Sequence, residues 1–177
     1  MKKRIVVILV VLMVSILALS GCGQKEIKGE IIDAGEVSAL CPEGWVNVPV
    51  EDFVRTQQEG ETVFDPTRLQ FDKISKSQEN EFLTLGAWIY YYPKETNTED
   101  LFVNSFSLKS EAWGPKEIGG RTWEGFVGLD LGERNATIWT EDDDAKFYVR
   151  VVLEVGKETI SLEDADMQAI LASIKAK

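Results

Sequence analysis

Two thiols, Cys22 and Cys41, and 30 carboxylates are the groups in this 177-residue chain that could do chemistry. Histidine is absent. That removes Ser-His-Asp and Cys-His nucleophile arrangements, histidine-containing zinc sites and the usual neutral-pH proton shuttle. The run Glu141-Asp142-Asp143-Asp144 offers oxygen ligands of the kind Ca²⁺ takes. It lacks the alternating Asp-x-Asp-x-Asp-Gly spacing with a following glutamate, so a solvated hairpin loop is expected. The pairs Asp72/Glu81 and Glu124/Asp130 are of the type that glycosidases use, but nothing in the spacing sets their separation. Trp88, Tyr90 and Tyr92 alternate along one strand face. They could stack on a sugar or another flat ligand; packing beneath a helix is the competing reading. Gly119-Gly120 reads as a turn, since no GxxxxGK[ST] phosphate loop accompanies it.

The surroundings of Cys22 say more than the thiol itself. Lys2-Lys3-Arg4 precede an apolar run from Ile5 to Leu19, broken only by Ser15, and Leu19-Ser20-Gly21-Cys22 follows. A spanning helix needs roughly 20 apolar residues, so this run is short for a permanent span and suited to a removable segment. The order resembles a bacterial lipoprotein signal. The resemblance implies cleavage between Gly21 and Cys22 and a diacylglycerol on the Cys22 sulfur, with acyl chains such as palmitate. Each buried CH₂ contributes about 0.8 kcal/mol, and two chains anchor stably where one does not. An ordinary secretory signal and a short N-terminal membrane anchor are the competing readings. The expected location is the extracytoplasmic face of a bacterial cell membrane. Cys41 then has no intramolecular disulfide partner, and thiolate metal clusters fall away. Cys41 stands beside Pro42 at the end of an apolar stretch, and a buried structural thiol is expected.

Removal of residues 1–21 takes three bases, leaving 16 against 30 acids and a net charge of −14. Such a surface is repelled by nucleic acid and by anionic lipid. Lipid on Cys22 is therefore the expected membrane contact, and no nucleic-acid partner and no cofactor are expected. The remaining length suits one domain with its own core. The expected division is a signal peptide over 1–21, a lipidated N-terminus and flexible tether over 22–35, and a single α+β domain over 36–177. The start of a first strand at Ile31-Ile32 would shorten the tether.

The elements that must position these groups follow from hydropathy periods. Val37 to Cys41, the turn Pro42-Glu43-Gly44, and Trp45 to Val48 read as strand, turn and strand. Glu51 to Arg68 reads as a polar connection with about one helical turn. Arg68 to Ile74 and Leu83 to Tyr92 read as strands, the second central and covered on both faces. Thr96 to Lys109 predicts a helix with Leu101, Phe102, Ser105 and Phe106 inward. Trp113-Gly114-Pro115 reads as a break. Lys116 to Ile118, Arg121 to Leu131, Asn135 to Thr140 and Lys146 to Val155 read as strands, with a bend or bulge at Gly125 and Gly128. From Ser161, Met167, Ile170, Leu171 and Ile174 mark an amphipathic C-terminal helix. The expected class is α+β, a central antiparallel sheet flanked by helices.

Pro42-Glu43-Gly44-Trp45 after a short strand, Ile118-Gly119-Gly120-Arg121-Thr122-Trp123 before the late strands, and a terminal Ile170-Leu171-Ala172-Ser173-Ile174 are the residues on which the chain resembles the PsbP-like group, which includes DcrB- and LpqN-type bacterial lipoproteins. The resemblance implies a central antiparallel sheet flanked by helices and no catalytic residues. The expected function is a membrane-anchored, non-enzymatic binding or assembly module with a protein partner or small ligand. The alternative is an acid-based hydrolase acting on an envelope polymer.

Overall fold

The computed structural model describes residues 27–73, 84–98, 110–130 and 132–177. The signal segment, Gly21 and Cys22 lie outside the described residues. So does the predicted helix beyond Thr98, with Leu101, Phe102, Ser105 and Phe106.

Period-two alternation builds most of the described chain. Seven strands form one antiparallel sheet in the order β3-β4-β5-β9-β8-β7-β6. They are β3 (Trp45–Asn47), β4 (Arg68–Lys73), β5 (Gly86–Pro93), β6 (Glu111–Ile118), β7 (Arg121–Asp130), β8 (Glu133–Glu141) and β9 (Ala145–Val152). One face carries Phe71, Ile89, Trp123, Ile138, Phe147 and Val149, all fully buried. Against it lies a three-stranded sheet of β1 (Gly29–Asp33), β2 (Val37–Pro42) and β12 (Lys175–Ala176), ordered β1-β2-β12. Helix α2 (Ala165–Ser173) adds Met167, Ile170 and Leu171 to the same core, and Ile174 follows them. A short ribbon of β10 (Glu154–Val155) and β11 (Glu158–Thr159) links β9 to α2.

The expected helix-flanked α+β class is overturned. The described chain is mostly strand, and its two helices span seven and nine residues. Only α2 buries apolar residues; α1 (Phe53–Glu59) buries none. The core face of the large sheet is shared between α2 and a second sheet. The cause is visible in the segments read as non-strand. Gly29–Asp33, assigned mostly to the tether, pairs with β2 from Gly29↔Pro42 to Asp33↔Ser38. Trp113-Gly114-Pro115, read as a break, lies inside β6 as a bulge between Trp113 and Lys116. Both strands are sheet edges with largely exposed side chains, so backbone pairing rather than apolar alternation makes them strands. The bulge and Pro115 also leave the β6 edge a poor template for another chain.

The turn Pro42-Glu43-Gly44-Trp45 is a corner between the two sheets. Buried Trp45 donates its indole N–H to Asp166 Oδ2 of α2 at 3.1 Å, and Lys73 Nζ lies 5.5 Å from the ring centroid. One side chain thus ties β3, β4 and the last helix together.

The irregularity expected at Gly125 and Gly128 appears only beside Gly125, where the β6 bulge falls between Trp113↔Gly125 and Lys116↔Trp123; towards β8, β7 pairs in unbroken register from Glu124↔Trp139 to Asp130↔Glu133. Gly125 is needed for closeness instead. A Cβ there would sit 2.1 Å from the Thr137 carbonyl oxygen, so the neighbouring strand would have to move. Gly125→Ala is expected to destabilise the fold by about 3 kcal/mol through overpacking. Urea unfolding measures this, and an unchanged midpoint would contradict the register.

Candidate functional site

Between β3 and β4 the chain leaves the sheet and returns. Its arms stay paired beyond the sheet edge. Asp65 N–H donates to Val50 O and Asp52 N–H to Val63 O, each at 2.8 Å, and Glu51 bridges to Phe64. The tip is α1. Asp52 caps its start by accepting from Arg55 N–H at 3.1 Å, and Gly60 ends it at a φ of +76°, in the left-handed region that suits glycine. Thr56 Oγ1 accepts from Val63 N–H at 2.9 Å, and Arg55 pairs with Glu59 at 3.1 Å. Polar bonds therefore hold the tip in shape.

Its apolar residues face water. Phe53 is 70% exposed, Val54 66% and Phe64 56%. Half of the six exposed large apolar residues among the described residues sit on this one extension. Scattered exposed apolar side chains are ordinary; several together on a preformed tip mark an interaction surface. Residues 51–65 also carry five acids and one base. The helical turn expected within Glu51 to Arg68 is α1, but the site was missed in the sequence, where the segment read as a polar connection. The available signal was Asp52 as a cap, Gly60 as a stop, and Phe53-Val54 and Phe64 in an otherwise polar stretch.

The aromatic ladder on β5 belongs to a packed sheet surface. Trp88, Tyr90 and Tyr92 are each half-buried. Tyr92 meets Tyr148 edge-on at 5.8 Å, Tyr148 continues to Trp139 at 6.2 Å, and Trp139 to Phe126 at 5.7 Å. Arg68 lies 5.4 Å above the Tyr90 ring, and Tyr148 OH donates to buried Thr98 Oγ1 at 2.6 Å. Burial pushes the Tyr92 phenol up. Tyr92 is thus joined to rings on three neighbouring strands, while Trp88 and Tyr90 stay half-buried on the same face.

The acidic run lies on the β8–β9 loop, as expected, and the protein's own cations occupy part of it. Arg121 grips Asp142 with Nε at 2.8 Å and Nη2 at 2.7 Å, while its Nη1 donates to Ile174 O at 2.7 Å. Lys94 Nζ reaches Glu141 Oε2 at 3.2 Å and Asp142 O at 2.8 Å. An adjoining cleft of about 600 Å³ is lined by these groups and Lys175. No group of three or more potential metal ligands converges among the described residues.

The proposed carboxylate pairs are not assembled by the described residues. Asp72 accepts from Gln70 at 3.1 Å, and Glu124 accepts from Trp139 Nε1 at 3.1 Å. Glu81 and the Asp130 side chain lie outside the described residues. Where carboxyl groups are shifted, they move down. Lys116 and Trp113 donate to Glu163, and Lys177 and the Gly35 N–H to Asp33. Cys41 is free and buried beside a cleft of about 500 Å³. Burial pushes its thiol up, and the Glu30 carboxylate adds to this, so the thiolate is suppressed.

No described helix is long and apolar enough to cross a membrane. Comparison with protein-family models, with curated proteins and with solved structures returns no match.

The Glu163 shift has a defined pH consequence. A carboxyl lowered in the folded state adds stability above its ordinary value of 4.5, and this is lost as pH falls through the lower folded value. Acid titration of the unfolding free energy is expected to fall less steeply for Glu163→Gln than for the wild type below about pH 4.5. Identical profiles would contradict the Lys116 pairing. Arg121→Met is expected to cost about 2 kcal/mol, as a charge-assisted bond network to the hairpin loop and the C-terminus is lost. Chemical denaturation reads that loss.

Proposed function

We propose that this chain is a lipid-anchored, extracytoplasmic binding or assembly module that performs no covalent chemistry. The observation that carries the reading is the β3–β4 extension. A tip shaped by its own polar bonds holds Phe53, Val54 and Phe64 in water. Exposing such side chains opposes the hydrophobic effect and adds nothing to the core, so they suit a surface that is covered on binding. The anchor is supported by the basic, apolar and Leu19-Ser20-Gly21-Cys22 order of the N-terminus.

The hydrolase alternative has less support. An acid catalyst at neutral pH needs a carboxyl held protonated by burial or a like charge. The two shifted carboxyls among the described residues, Asp33 and Glu163, are instead held ionised by cations and N–H donors.

Cys22→Ser is expected to move the protein from the membrane fraction to the soluble fraction of its native host. Mass spectrometry of the wild type is expected to find Cys22 as the N-terminal residue carrying diacylglycerol. An unmodified Cys22, or a Cys22→Ser protein still in the membrane, would contradict the anchor.

A further inference from the structure

We infer that the β3–β4 tip is the docking element, and that it inserts Phe53, Val54 and Phe64 into an apolar groove rimmed by Lys and Arg on a partner protein on the membrane-distal side of the domain. The inference rests on the anchored-module reading above.

Orientation comes from the strands. The chain enters the domain at Ile27 and Lys28, where Glu43 N–H donates to Lys28 O at 2.9 Å and Gly29 pairs with Pro42. That corner leads directly to Trp45, which pairs with Lys73 at the far end of β4. The extension leaves from the other end of β4, at Arg68, where Val48 N–H donates to Gln70 O at 2.9 Å. At about 3.3 Å per strand residue, β4 and the paired arms separate the entry corner from the tip by roughly 30 Å. A lipid on Cys22 lies within about 25 Å of Gly29 along the chain. On the anchored-module reading, the entry corner is the tethered end of the domain and the tip lies at the opposite end of β4.

Charge selects among occupants. The tip and its base hold five acids, Glu51, Asp52, Glu59, Glu61 and Asp65, against two bases, Arg55 paired with Glu59 and Arg68 paired with Asp65, each at 3.1 Å. An anionic lipid surface would repel it, and so would a second copy of a chain this acidic. A groove with an apolar floor and a basic rim matches both the exposed side chains and the acids around them.

The test places a photo-crosslinking amino acid at Phe53, at Phe64 and, as control, at Ile31, which is 60% exposed beside the entry corner. The full, lipidated protein is irradiated in intact cells of the native host. The expected result is one protein crosslinked from positions 53 and 64 and not from 31. That protein, purified, is expected to lose about tenfold or more in affinity for Phe53→Ser and for Phe64→Ser, and to bind more weakly as salt rises. Both variants are expected to keep the wild-type melting midpoint; a fall would make the residues structural and overturn the inference. Self-crosslinking, no crosslink, or Phe53-dependent sedimentation with phosphatidylethanolamine–phosphatidylglycerol vesicles would also overturn it. The mass of Cys22 separates the two readings. Lipidated Cys22 without a crosslink overturns the docking inference alone. Unmodified Cys22 with the tip crosslink removes the membrane orientation and so overturns the distal placement.

Discussion

Strand β9 has no free edge and one wholly buried face, with only Lys146 and Arg150 reaching solvent on the other, and the rest of the described structure is arranged around that burial. It pairs along its length with β5 on one side and β8 on the other. Phe147, Val149 and Val151 are fully buried on one face, while Tyr148 on the opposite face is nearly so. A strand enclosed in this way must have every backbone group paired. The registers Ile89↔Val149 and Ile138↔Val149 therefore fix where β5 and β8 lie. The β8–β9 loop inherits its position from them, which brings Asp142 under Arg121. The aromatic belt from Tyr92 through Tyr148 and Trp139 to Phe126 follows from the same registers, read on the other face.

Legibility in the sequence tracks burial. The strands over Arg68–Lys73, Gly86–Pro93, Glu133–Glu141 and Ala145–Val152 announce themselves because each buries apolar residues on the core face of the sheet. The Met167, Ile170, Leu171, Ile174 stripe and the burial of Cys41 are legible for the same reason. Strands β1 and β6 are legible only in part, at Ile31-Ile32 and at Lys116 to Ile118. Their side chains are mostly exposed, so the hydropathy pattern that would mark them is missing, and a neighbour's backbone supplies the order. The fold class was misread through these edges: two segments taken for tether and break extend the β architecture. At the candidate site the difficulty is of another kind. Phe53, Val54 and Phe64 interrupt a polar stretch, but only their exposure tells them from core residues. In the sequence an exposed phenylalanine and a core phenylalanine look alike.

The tip and the sheet answer to different forces. The sheet is held by apolar burial, with Trp45 tying β3, β4 and α2 at one corner. The tip is held by caps and paired arms, and its apolar side chains contribute to neither. This separation lets the tip change its contacts without disturbing the core, which is the property a binding element on a stable module requires.

Hydrogen exchange read by mass spectrometry on the full lipidated protein in native membranes tests that division most directly. The account predicts slow exchange in β5, β8 and β9 throughout. Residues 50–65 are to exchange fast in washed membranes and to become protected when the soluble extracytoplasmic fraction is returned, with β1 unchanged. Tip protection already present in washed membranes, or none after the fraction is restored, would contradict it.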